Sequence, residues 1–241
     1  MSLTDCFQAT KRSIINAGGK EDINAVVADV TDASGREKIV SSTVQKWGRI
    51  DILVSFNIVL LLSTTLATYL SELHIYLSKY IFSVVHLIQL ARPHLVKAKG
   101  EVVNVSSIAG QPKGVPSQGP KFMYYAMSKA ALDQMTRSLA VDLIAEGVRV
   151  NSVSPGAVVT RFLQTAGASD ADASKFYDTF ASSADSLPIR EIGQPEDIAN
   201  VIAFLADRKA SRYIIGQTII ADGGSMLVTA SDVTAFSDEF H

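Results

Sequence analysis

The sequence predicts an α/β fold built on a parallel sheet, and three observations predict it. Short apolar runs at 23–30, 50–54, 101–106, 148–153 and 214–221 read as strands buried on both faces. Amphipathic stretches separate them, so strand and helix alternate as βαβ units require. The residues able to do chemistry gather where these runs end, above all between Asn104 and Lys129. In an open α/β sheet the carboxyl ends of the strands are where ligands bind.

At 241 residues the chain suits one domain, spanning residues 1–241, with a full core. Its 22 basic and 24 acidic residues nearly balance, which gives no electrostatic case for nucleic acid or an anionic membrane surface. A small uncharged substrate suits this balance better. The single cysteine, Cys6, makes no intrachain disulfide, and no Cys/His cluster stands at ligand spacing. A reducing, cytoplasmic setting and no metal site are therefore expected. The first residues lack a basic segment followed by an apolar one, so no secretory signal is read.

Residues 4–17 carry Phe7, Ile14 and Ile15 among polar neighbours and end at Gly18-Gly19, the pattern of a helix with a glycine stop. The apolar run 23–30 follows as a strand. Asp32 to Ser34 can cap a helix over 33–47, in which Val40, Val44 and Trp47 share a face before Gly48. With the strand at 50–54 this makes a βαβ unit whose crossover should be right-handed. From Ile52 to Ser71 there is no charge, a stretch long enough to span a bilayer. Ser55, Asn57, Ser63, Thr64, Thr65, Thr68 and Ser71 interrupt it, and a buried strand running into a helix is the preferred reading. A helix is expected over about 70–97. The segment 110–120, with three prolines and three glycines, can only be a loop. A long helix follows, carrying Ala131, Met135, Leu139 and Leu143 on one row and Leu132, Ala140 and Ile144 on another. Two apolar rows suggest one face on the sheet and another on a second copy of the chain. Pro195, Glu196 and Asp197 start the last long helix, and the tail from 231 reads as loose.

Tyr125 and Lys129 stand four residues apart at the start of the long helix, so both leave one face, a turn apart. A positive charge beside a phenol favours the phenolate and moves the group toward acid/base work. Ser107, at the end of the 101–106 strand, can supply a neutral donor. A Tyr-x-x-x-Lys pair is common by chance, and alone it decides nothing.

Its surroundings decide more. Asn104-x-Ser-Ser-x-x-Gly110, Tyr125-x-x-x-Lys129, Ser154-Pro-Gly-x-Val-x-Thr160, Gly193-Gln-Pro-Glu-Asp-Ile-Ala199 and Asp222-Gly-Gly224 occur in the order of one family. From about residue 8 to residue 228 the chain resembles a short-chain dehydrogenase/reductase. The resemblance implies a Rossmann-like, doubly wound parallel sheet. It also implies an oxidoreductase moving hydride between NAD or NADP and an alcohol/ketone pair. Ser107, Tyr125 and Lys129 would be catalytic. Pro155, Gly156, Val158 and Thr160 would line the nicotinamide side, with Tyr125 and Lys129 also touching the cofactor. Asp29 would meet the adenine. Residues 161–188 would form the variable substrate lid, and relatives associate as homodimers or homotetramers.

Three departures accompany the match. No glycine-rich turn follows a first strand: the fold is expected to lack the family's first two strands and that loop, about one ~30-residue βαβ unit or a little more. Ser55-Phe-Asn-Ile58 stands where relatives usually carry Asn-Asn-Ala-Gly. Tyr80 stands where a helix asparagine orders a water near the lysine. These leave a second reading open, a non-catalytic, truncated descendant kept as a scaffold or association partner. They also raise a question of pairing, because the 23–30 strand loses its neighbours. Leaving a buried strand unpaired costs about 1–3 kcal/mol per polar group. Val26 to Asp29 is therefore predicted to pair in parallel with the strand at 51–54. That pairing would bring Asp29 toward the vacated phosphate site.

Overall fold

The protein's structure, a computed structural model, describes residues 3–56, 74, 76–114, 122–165 and 167–228. Asn57, most of the uncharged window 52–71, the loop from 115 to 120 and the tail 231–241 lie outside the described residues. Four parallel strands, β1 (Ile52–Ser55), β2 (Glu101–Val105), β3 (Arg149–Pro155) and β4 (Thr218–Ala221), lie side by side in chain order. β2 is buried along its whole length, three valines with two paired polar residues, Glu101 with Arg149 and Arg208, and Asn104 with Thr136.

Alternation along β2 and β3 sends side chains to two helical layers. Val102 and Val150 join a core with Val84, Leu87, Ile88, Ala91 and Leu95 of α3 (Ser83–Ala98) and Leu132, Ala140 and Leu143 of α4 (Met123–Ile144). Val40 of α2 (Ala33–Trp47) packs there too. Val105 and Val153 face the other way, onto Ile198. Ile198 belongs to α7 (Pro195–Ala206), the helix predicted from Pro195 and Asp197; the Asp197 carboxylate accepts from the Gln194 N–H at 2.7 Å. Helices thus cover both faces of a parallel sheet, the Rossmann-like layering expected. The single-turn helix α5 (Phe162–Thr165) and the longer α6 (Asp170–Ser182) come between β3 and α7 in the chain. α1 (Leu3–Asn16) ends at Gly18, which takes the left-handed φ of +83° that a glycine stop supplies.

The expected strand at 23–30 does not form, and its predicted pairing with β1 is absent. Among the described residues nothing adds to the outer edge of β1, and Ile52 and Val54 are exposed there. The backbone groups that were expected to need a strand partner find side chains of α2 instead. Lys46 donates to the Ile23 carbonyl at 2.9 Å, Lys38 to that of Val27 at 3.1 Å, and Arg36 to those of Val30 and Thr31 at 2.6 and 2.9 Å. A Cβ on Gly35 would lie 2.1 Å from the Asp29 carbonyl oxygen, so only glycine lets the segment lie this close to the helix. Without the pairing, the argument that Asp29 moves toward a phosphate site falls as well.

Smaller differences have local causes. β4 starts at Thr218 and not at Ile214, because Arg149 and Asn151 take the Ile214 carbonyl and Gly216 turns the chain at φ +68°. The helix expected over 70–97 enters α3 through a π-helical turn, Ser78–Phe82, which contains Tyr80; the Tyr80 side chain lies outside what the structure describes. On α4, Met135 and Leu139 pack into the same core as Leu132 and Ala140, so those two rows are not divided between sheet and partner. The exposed large apolar residues of α4 are Met123, Met127, Val141 and Ile144. No helix among the described residues is long and apolar enough to cross a membrane.

Candidate active site

β2 delivers the chain to Ser106 and Ser107 at its carboxyl end. Ser107 is extended, and its Oγ accepts from the Ala109 N–H at 3.2 Å, which starts a tight 3-10 turn over 108–110. Gly110 closes that turn against α4: a Cβ there would lie 2.6 Å from the Lys129 carbonyl carbon. This contact sets the distance between the Ser107 turn and the first two turns of α4, where Tyr125 and Lys129 sit buried. The Lys129 Nζ donates to the Val105 carbonyl at 2.9 Å and lies 5.6 Å from the Tyr125 ring centre. Ser107, Tyr125 and Lys129 all line one cavity of about 480 Å³, so the structure brings together the three residues that the spacing singled out.

Burial dominates their electrostatics. It pushes the Tyr125 phenol up to about 12, against the lowering effect of its hydrogen bond with Ser107. It pushes Lys129 down to about 7, against the raising effect of the Asp133 carboxylate. The expected depression of the phenol by an adjacent ammonium is therefore not a property of the protein alone. Near neutrality Tyr125 holds its proton, and Lys129 is poised to gain or lose one.

Residues 3–226 match the family model described as enoyl-(acyl carrier protein) reductase. The chain belongs to the short-chain dehydrogenase/reductase family. A Serratia marcescens meso-2,3-butanediol dehydrogenase is 35% identical over 86% of this chain and 76% of its own length. A Thermotoga maritima 3-oxoacyl-(acyl-carrier-protein) reductase is 32% identical over 85% of this chain and 78% of its own. Among solved structures, a Caenorhabditis elegans short-chain dehydrogenase/reductase of unknown function, crystallised with cofactor, superposes with a TM-score of 0.89 at 43% identity. That match covers 94% of this chain and 84% of the other.

The second group of predicted family residues reaches the same cavity from β3. Pro155, Gly156, Val158 and Thr160 all line it. Gly156 passes so close to the chain after β4 that a Cβ would meet Asp222 at 2.8 Å, and its N–H bonds to the Ala221 carbonyl at 3.0 Å. Asp222 in turn accepts from the N–H groups of Gly224 and Met226 at 2.9 and 2.7 Å. The Asp-Gly-Gly motif thus folds the chain end that supports Gly156. Val158 forms a parallel bridge with Gly193, which joins the two ends of the 161–188 segment. Asp29 is not among the cavity's lining; its carboxylate accepts from the N–H and hydroxyl of Thr31 at 2.8 and 2.7 Å and closes a turn.

Sequence reasoning missed a buried polar tie behind Lys129 and the Ser107 turn. Asp133, one turn beyond Lys129, accepts from the Gln111 side-chain amide at 2.8 Å. The same amide donates to Ser154 Oγ at 3.0 Å, and Ser154 donates to the Ser107 carbonyl at 3.4 Å. Beside it, Asn104 of β2 donates to Thr136 of α4 at 2.9 Å. The signal was present, since Lys129, Asp133 and Thr136 follow helical spacing on a face otherwise apolar. Among the described residues no cluster of His, Cys, Asp and Glu could hold a metal ion.

Proposed function

We propose that the protein is an NAD- or NADP-dependent oxidoreductase that interconverts an alcohol and its carbonyl compound. The carrying observation is that Ser107, Tyr125 and Lys129 share one cavity with Pro155, Gly156, Val158 and Thr160. The residues present fit the nicotinamide end of such a cofactor. Ile198 and Ile202 offer an apolar wall for a flat ring, Lys129 a donor for ribose hydroxyls, and Thr160 a polar group for the carboxamide. No glycine-rich turn lines the cavity among the described residues, so the fit does not extend to the pyrophosphate.

When bound, nicotinamide supplies or accepts the hydride. In reduction, Tyr125 gives its proton to the carbonyl oxygen as negative charge grows there, a role that its protonated state near neutrality suits. Ser107 holds the same oxygen by hydrogen bonding, and Lys129 stabilises the phenolate left behind. In the oxidative direction Tyr125 must first lose its proton, so alcohol oxidation should accelerate toward alkaline pH. Asp29 is assigned to the adenine end on family resemblance alone.

The same reading takes the chain as one cytoplasmic domain with 161–188 as the substrate lid. Among the described residues no strand adds to the outer edge of β1, which supports a sheet without the family's first two strands. The exposed apolar residues of α4, Met123, Met127, Val141 and Ile144, support a homodimer or homotetramer. Titrating the purified chain with NADH and NADPH while following nicotinamide fluorescence tests the proposal. Saturable binding of at least one is expected. Binding of neither would favour the scaffold reading instead.

A further inference from the structure

We propose that the substrate is an uncharged ketone, or the matching secondary alcohol, with hydrocarbon on both sides of the reacting carbon and a bulky group on one side. The inference rests on the oxidoreductase reading above and concerns what the rest of the cavity can accept. Most polar atoms around the cavity are already engaged within the protein. The Tyr177 hydroxyl lies 3.1 and 3.3 Å from the Val158 and Thr160 carbonyls, to which it donates, and accepts from the Thr160 N–H at 3.4 Å. Thr160 Oγ1 accepts from the Phe162 N–H at 3.2 Å, and Ser106 Oγ donates to the Lys129 carbonyl at 3.3 Å. Ser107 and Tyr125, hydrogen-bonded to each other, are the pair that would turn to the reacting oxygen, with Lys129 beside them.

The remaining surface is aromatic and aliphatic. Phe162 packs 5.6 Å from the Tyr125 ring and Phe122 meets it edge-on at 6.2 Å, so two rings flank the reacting position. Phe176 and Phe180 stack at 5.7 Å in the lid over the same cavity. Lys129 is the one charged residue among the described residues that line it. A carboxylate or phosphate on the substrate would have no cation of its own here. Among the described lining residues, a hydroxyl of a sugar-like substrate away from the reacting carbon meets hydrocarbon, at a cost of about tenfold or more in affinity. A hydrocarbon group gains by the same burial.

Three ketones separate the possibilities: 4-phenyl-2-butanone, 2-oxo-4-phenylbutanoate, which replaces its methyl by a carboxylate, and D-fructose. With NADH and with NADPH, kcat/KM for phenylbutanone should exceed that for either polar ketone by at least a hundredfold. Saturation-transfer NMR on the full chain reads binding of the same compounds without turnover. Phenylbutanone should give the signal, and the other two should give none at equal concentration. Equal or better binding or turnover of the keto acid or of fructose overturns the proposal, as does failure of phenylbutanone to bind. Selective binding of phenylbutanone without turnover under either cofactor would support the cavity's preference and count against the oxidoreductase reading alone. A Phe180→Arg variant should shift the preference toward the keto acid by at least tenfold.

Discussion

Two apolar runs of similar composition, Ile23 to Val30 and Glu101 to Val105, have opposite fates. The second becomes β2, with a strand on each side and a helical layer on each face. The first forms no strand, leaves Val27 62% exposed, and hangs from α2 by the side chains of Arg36, Lys38 and Lys46. Composition offers both segments to a sheet, and the availability of neighbours decides which one joins. Ser107 follows directly on the segment that has neighbours on every side, and Lys129 of α4 reaches its Val105 carbonyl. Asp29, the one predicted site residue outside the cavity, stands on the other.

Substitutions on the two runs should expose the contrast most strongly. Val103 is fully buried, and Val103→Asp should prevent folding, because an unpaired carboxylate would lie in the centre of the sheet. Val27→Asp should change the unfolding free energy by no more than about 0.5 kcal/mol, the range of ordinary surface changes. If Val27→Asp proved comparably damaging, the 23–30 segment would have a partner besides α2.

Gly35→Ala comes next. Its methyl would enter the space of the Asp29 carbonyl, and a loss of about 1–3 kcal/mol in urea denaturation is expected. Arg36→Ala should cost less globally but loosen the segment locally. It removes donors to Val30, Thr31 and the His86 ring nitrogen, so hydrogen exchange near residues 30–32 should quicken while that of β2 stays unchanged.

A finer test lies in pH. Burial lowers Lys129 from 10.5 to about 7, so between those values the unfolded chain binds this proton and the folded protein does not. The contribution is present above about 10.5 and is lost as pH falls toward about 7. Lys129→Met should therefore flatten the fall in stability between pH 10 and pH 7 relative to wild type. Tyr125 acts at the other end: raised to about 12, it favours the folded state below 10 and loses that effect as pH climbs through 12. An unchanged slope in Lys129→Met would mean that the lysine reaches solvent in the folded protein.

Much of this was legible in the sequence, and what was not has a physical cause. The strands at 101–106 and 148–153 were readable because a run buried on both faces needs no outside information. Tyr125 and Lys129 were readable because helical spacing alone puts them on one face. The fate of 23–30 was not readable, since it turns on hydrogen bonds from Arg36, Lys38 and Lys46, whose long side chains carry no periodic signal. The Asp133, Gln111 and Ser154 tie escaped because its members come from a helix, a loop and a strand far apart in the chain. The opposed shifts of Tyr125 and Lys129 escaped because spacing gives proximity and says nothing of burial.

The most direct measurement follows one atom. With NADH or NADPH deuterated at the transferable C4 position, reduction of 4-phenyl-2-butanone should place one deuterium on the carbinol carbon, raising the product mass by about one unit. Tyr125→Phe should slow that transfer by about 10²–10⁴-fold while leaving phenylbutanone binding by NMR within a fewfold of wild type. Product without deuterium, or a Tyr125→Phe enzyme as fast as wild type, would contradict the assignment of the cavity around Ser107, Tyr125 and Lys129 as a hydride-transfer site.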